Sequence, residues 1–176
     1  VAVCGGNPGA NADINFTTKG VEYCAAGSNN GILERISNVT FANINKNSTA
    51  TTGYEDFTAT VGNVTPGQSY NFSASHTGTT YSSDQVIVWI DYNNNGTFET
   101  SELVATGTQV AVNPATKKGN FSADFTPPAT AVLDTPLRMR VLSDFTNQTT
   151  ISACGQLNYG QVEDYSVTLG TSLSTN

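Results

Sequence analysis

The residues best suited to chemistry lie in Asp91-Tyr92-Asn93-Asn94-Asn95-Gly96-Thr97-Phe98-Glu99-Thr100-Ser101-Glu102, where oxygen-bearing side chains recur at alternate positions and an acid stands twelfth. Hard cations take oxygen ligands, and a curling loop brings the side chains at positions 1, 3 and 5 to one point. Here those are Asp91, Asn93 and Asn95; Gly96 permits the sharp turn, Thr97 offers its carbonyl, Glu99 reaches through water and Glu102 can bind in bidentate fashion. The spacing predicts calcium as a structural cofactor. Asn95-Gly96 between apolar runs is also a hairpin signal, so a metal-free turn is the competing reading. A plain turn, however, does not require oxygens at 91, 93, 95 and 102 together. A set mixing acids with neutral amides implies modest affinity, suited to extracellular calcium rather than to a sensor. The apolar run entering the loop, residues 86–90, reads as strand and not helix. A helix-loop-helix hand is therefore not expected, and the twelfth position is the ligand most exposed to that change of context.

The elements that must hold this loop are strands. Tyr70, Phe72, Ala74 and His76 alternate with Asn71, Ser73, Ser75 and Thr77, and Phe121, Ala123 and Phe125 alternate with Ser122 and Asp124, each giving a strand with one wet face. Residues 85–90 are apolar on both parities, as in the central strand of a stack. Leu137, Met139 and Val141 alternate with Arg138 and Arg140, and Tyr165, Val167 and Leu169 point inward from a last strand. With residues 33–44, 54–61 and 103–112 this makes about eight to ten strands. The expected fold is all-β: a two-layer antiparallel β-sandwich, jelly-roll-like, over residues 21–170. Residues 1–20 read as an irregular lead-in and 171–176 as a linker, polar ends that suit a module of a longer chain.

Three cysteines, Cys4, Cys24 and Cys154, lack the Cys-x-x-Cys spacing of zinc or redox sites. Cys24 and Cys154 sit at the edges of strand-like segments while Cys4 lies in the Gly- and Asn-rich lead-in, so Cys24 is expected to pair with Cys154. Seven Lys and Arg against fourteen Asp and Glu give a net charge of −7. That removes the electrostatic attraction on which nucleic-acid and anionic-membrane binding depend. No apolar run approaches the ~20 residues of a membrane helix. A soluble, secreted or extracellular monomer, with attachment to a cell surface as a further option, is the expected setting, any signal peptide having been removed.

Gly53-Tyr54-Glu55-Asp56-Phe57, the run 88–98, Leu137-Arg138-Met139-Arg140-Val141, Ala153-Cys154-Gly155 and Gly160-Gln161-Val162-Glu163-Asp164-Tyr165, in that order, resemble a GEVED domain. The resemblance covers residues 22–169. It implies a β-sandwich module of large secreted proteins, mostly of Bacteroidetes, placed beside metalloproteases or glycoside hydrolases and ahead of a secretion-sorting domain. Gln161 departs from the pattern, since the family's name places a Glu there. Read from the residues themselves, Glu163 and Asp164 point to opposite faces of a strand, and an interior carboxylate needs a partner such as Arg138 or Arg140. A structural ion pair is expected there, in preference to a second metal site.

His76 is the sole histidine, which excludes a histidine-based metal site, and its place on an apolar parity marks it as a packing residue. No phosphate loop, cofactor fingerprint or carboxylate cleft stands out, so no catalytic residues are assigned. Binding or structure remains. Neutral polysaccharides stack on exposed rings with Asn and Thr hydrogen bonds beside them, and Tyr81, Tyr92 and Tyr159 with Asn158 are the candidate ligand-binding residues. The expected function is a non-catalytic carbohydrate-binding module attached to a catalytic domain in the same polypeptide. The alternatives are a module that binds a protein substrate or a cell-surface partner, and a rigid spacer.

Overall fold

The computed structural model describes residues 20–30, 34–48, 52–77, 84–108, 110–113, 115, 118–145 and 152–170. Cys4 and Tyr81, and nearly all of the lead-in and the tail, lie outside the described residues. The strands are β1 (Ala26–Ser28), β2 (Arg35–Phe41), β3 (Ile44–Asn47), β4 (Tyr54–Val64), β5 (Tyr70–Thr77), β6 (Asp84–Ile90), β7 (Leu103–Thr108), β8 (Val110–Asn113), β9 (Lys118–Phe125), β10 (Pro136–Phe145), β11 (Gly155–Leu157) and β12 (Gln161–Leu169). Among the described residues the single helical element is a 3-10 turn at Thr100–Glu102, and no helix is long and apolar enough to cross a membrane.

Two five-stranded sheets, ordered β4-β12-β10-β6-β7 and β3-β2-β5-β9-β8, form the sandwich. The expected alternation builds the space between them. Val86, Val88 and Ile90, Met139 and Val141, and Tyr165, Val167 and Leu169 project from the first sheet onto Ile36, Val39, Phe41, Phe72, Ala74 and Phe121 of the second. Each buried aliphatic or aromatic side chain of this kind stabilises by about 1.5–3 kcal/mol.

The structure corrects the sequence reading in three places. The sheets are mixed, because β12 pairs in parallel with β4 and β1 pairs in parallel with β11. Residues 103–112 form two strands, not one, as the chain leaves the first sheet after β7 and enters the second at β8. A period-two pattern continues through such a crossing and cannot mark it. The central strand of the first sheet is β10, not β6.

The second apolar face of β6 has its own cover. Ile87, Trp89, Leu142, Val162 and Ala153 form a smaller core on the outside of the first sheet, with Ala26, Tyr54, Phe98, Leu103 and Leu157 packed against it. The chain around residues 21–28 and the small β1-β11 sheet lie there. That strap is stapled by the Cys24–Cys154 disulfide, which joins residues 130 positions apart.

Candidate functional site

The 91–102 loop begins where β6 ends. The Asp91 amide still bonds the Arg138 carbonyl of β10 at 3.0 Å, so the first residue of the loop is fixed by the sheet. Beyond it the chain curls: Asn94 and Gly96 take positive φ angles of 57° and 83°. The curl aims backbone amides at the loop's own side chains. Asp91 Oδ1 accepts from the Asn95 amide at 3.2 Å and Oδ2 from the Gly96 amide at 2.9 Å. Asn93 Oδ1 accepts from the Asn95 amide at 3.0 Å, and Asn95 Oδ1 from the Thr97 amide at 2.7 Å.

Glu102 returns to the loop despite the strand context. The 3-10 turn carries its carboxylate back so that Oε1 accepts from the Asn93 amide at 3.2 Å and Oε2 from the Glu99 amide at 3.1 Å. Glu99 is clamped by two carboxamides, Asn95 Nδ2 at 2.6 Å and Asn93 Nδ2 at 3.2 Å. The structure thus brings together Asp91, Asn93, Asn95, Glu99 and Glu102, with Thr97 on the same curl. Asp91 and Glu102 are buried. Burial, then the neighbouring Glu99 carboxyl, raises the Glu102 pKa above the usual carboxylate range, with Asp91 adding to it. The Glu99 pKa is lowered by its hydrogen bonds, that with Glu102 first.

This donor set fits calcium in kind. Most of the oxygens accept one amide hydrogen bond and retain a lone pair, as preorganised ligands do. Among the described residues no group of three or more His, Cys, Asp and Glu side chains is placed to hold a metal ion. A cation here would depend on the carboxamide and backbone oxygens together with Asp91 and Glu102.

One partner of the loop carries no signal in sequence. Tyr23, on the strap, donates its hydroxyl to Asp91 Oδ2 at 2.8 Å. Its ring lies 5.5 Å from Phe98 and beneath the Arg138 guanidinium at 4.5 Å. Burial and the Asp91 carboxylate push its pKa far above the usual tyrosine value, so it stays a donor.

The expected ion pair is present and involves both arginines. Arg140 bonds Asp164 through Nε at 2.7 Å and through its second terminal nitrogen at 2.8 Å, while Arg138 reaches Asp164 Oδ2 at 2.7 Å. Tyr54 donates to the same oxygen at 3.0 Å. Arg140 also bonds the carbonyls of Cys24 at 3.0 Å and Ala153 at 2.8 Å, both beside the disulfide. On the other face Glu163 accepts from the Tyr165 hydroxyl at 2.7 Å. Burial raises its pKa to about 7 against the pull of that hydrogen bond, and Glu55 adds to the rise. Gln161 bonds Glu55 at 3.3 Å and takes the Ile36 amide at 3.1 Å, two contacts that join β12 to β4 and to the second sheet.

Of the candidate ligand-binding residues, Tyr159 is 41% exposed, its ring edge-on to Phe145 at 6.1 Å. Asn158 beside it is exposed, and its carbonyl accepts from Asn30 at 2.9 Å. Tyr92 is corrected: its ring is buried in the main core, because Tyr92 turns inward where the loop leaves the sheet, and it offers no face to a ligand. Tyr81 lies outside the described residues.

His76 is buried, Nε2 standing 3.6 Å from Asp84 Oδ2 and the ring close to the Glu34 backbone. Desolvation lowers its pKa to about 4, so the ring is neutral near neutral pH. Asp84 and Glu34 nearby are raised to about 7, each by burial first; Glu34 and then Asp144 add to the rise at Asp84, and Asp144 to that at Glu34. Sequence spacing gave no hint of this cluster, whose members come from β5, β6, β10 and the residue just ahead of β2.

The GEVED domain family model matches residues 85–168. This stretch is a GEVED domain. No curated protein matches the chain. The GEVED match contains the 91–102 loop, both arginines and the Gly160–Tyr165 motif, while β2, β3 and β5 of the facing sheet and β4 beside β12 come from residues ahead of it. The GEVED segment is therefore roughly half of a sandwich that residues 26–77 complete.

Proposed function

We propose that the chain is a non-catalytic accessory module of a secreted multidomain enzyme, braced by a structural calcium and binding neutral polysaccharide. The observation that carries the metal is the 91–102 loop, where buried Asp91 and Glu102 face the same curl of backbone amides. The disulfide suits an oxidising, extracellular setting. Support for a glycan comes from uncharged surface polarity: the outer side of the second sheet pairs Asn38 with Asn45 and Asn47, Thr40 with Ser73, and Ser75 with Asn120. The exposed Tyr159 ring, with Asn158 and Asn30 beside it, supplies a stacking face flanked by amides.

Asp91→Ala is not a clean probe of the metal, because it removes three hydrogen bonds whether or not calcium is present. Glu102→Gln removes the charge and keeps one of the two amide hydrogen bonds that Glu102 accepts, a smaller loss than the three of Asp91→Ala. Calcium is expected to raise the Tm of the wild type, and Glu102→Gln to abolish most of that rise while lowering the Tm in EDTA by less than Asp91→Ala does. A Tm that is equal in calcium and EDTA for the wild type would refute the metal. For the glycan, affinity electrophoresis against soluble neutral polysaccharides is expected to show retardation that Tyr159→Ala removes. Unretarded migration across a broad panel would move the reading to protein binding or a spacer.

A further inference from the structure

We infer that the Cys24–Cys154 disulfide and the 91–102 loop form one thermodynamic unit, in which Tyr23 is the positioning residue that couples the strap to the loop's affinity for calcium. This rests on the calcium reading above and adds to it a second element, distant in sequence, that sets how tightly the cation is held. The strap meets the loop at three places. Tyr23 bonds Asp91 Oδ2, the Tyr23 ring packs on Phe98, and the Glu22 carbonyl lies so close to Gly96 that a Cβ there would approach it to 2.5 Å. Its other attachment is Cys24, the very next residue, held to Cys154 by the disulfide and to Arg140 through its carbonyl.

The hydrogen bonds on Asp91 give the coupling its direction. Oδ2 takes the Tyr23 hydroxyl and the Gly96 amide, which together use its acceptor capacity. Among the described residues Oδ1 takes only the Asn95 amide, so it is the oxygen with a lone pair left for a cation. The Tyr23 hydroxyl therefore decides which carboxylate oxygen faces the metal and holds the carboxylate against rotation. A ligand ordered in advance costs less to order on binding, and the apparent affinity rises accordingly. Linkage is reciprocal, so calcium must in turn hold the strap down over the disulfide. The unit would close fully only where oxidant and millimolar calcium are both present, which is outside the cell, and would stay loose in a reducing, calcium-poor interior.

Calcium titration by calorimetry, below the melting temperature, tests this on the oxidised chain, on Tyr23→Phe and on the double variant Cys24→Ser/Cys154→Ser. Tyr23→Phe keeps the ring on Phe98 and under Arg138, and keeps the disulfide, so its fold is preserved even if the double variant fails to fold. The expected result is about tenfold weaker binding in each variant. Calcium should also slow reduction of the wild-type disulfide by dithiothreitol, and slow it less in Tyr23→Phe. Wild-type affinity in Tyr23→Phe, with calcium still bound, would overturn the coupling and leave the calcium reading standing. No heat of calcium binding in the oxidised wild type would overturn both.

Discussion

Arg140 holds both carboxylate oxygens of Asp164, at 2.7 and 2.8 Å, from the neighbouring strand of the sheet. Both side chains are buried, Asp164 completely. The pair does more than neutralise itself, since the same guanidinium reaches the carbonyls on either side of the disulfide. The last residue of the GEVED motif is thus a structural anchor for the strap, with Arg138 and Tyr54 filling its remaining acceptor positions.

Removing that charge leaves two arginines uncompensated, one of them buried. Asp164→Asn is expected to lower stability by about 3–5 kcal/mol, the cost of breaking a buried pair from one side. Urea denaturation followed by Trp89 fluorescence measures it. A loss below about 1 kcal/mol would mean that the Arg140–Asp164 pair does not anchor the strap.

Gly160 has a φ of 97°, and a Cβ there would collide with the Ser143 carbonyl. Gly160→Ala is expected to cost more than about 2 kcal/mol, since neither the backbone angle nor the space suits an L side chain. The same denaturation assay decides it. A near-neutral effect would show that the 158–160 bend can rearrange freely.

Stability should depend on pH with a definite sign. Glu34, Asp84 and Glu163 have folded pKa values raised to about 7, so between their unfolded values and about 7 the folded state binds more protons. Their contribution is present at acid pH and is lost as pH rises through the folded values. His76, lowered to about 4, works the other way, its contribution growing with pH up to its unfolded value. With Glu102, raised likewise, these groups outweigh His76, so the midpoint in urea is expected to fall from about pH 5 to about pH 8.

Glu163→Gln isolates one of those groups. The amide oxygen still accepts from Tyr165, while the buried charge is gone. The variant should be more stable than the wild type at about pH 8, by about 1–3 kcal/mol, and close to it at about pH 5. Equal stabilities at both values would show that Glu163 ionises at the ordinary carboxylate pKa.

Much of this molecule was legible in the chain order. Alternation fixed which residues of β5, β9, β10 and β12 face inward, because a strand allows only two faces and water decides between them. The curl of the 91–102 loop was legible because its oxygen-bearing side chains are close in sequence and its Asn-Gly turn has few conformations. The pairing of Cys24 with Cys154 followed from strand edges. What tertiary structure alone decided are contacts between residues with no local reason to meet: Tyr23 with Asp91, 68 positions apart, and Ile36 with Gln161, 125 apart. It also decided that Tyr92 turns into the core, that β4 lies parallel to β12, and that β10 rather than β6 is central. Sequence periodicity reports the environment of a side chain, whereas the choice of neighbour depends on how whole strands are ordered and on which groups remain unpaired once the apolar faces have closed.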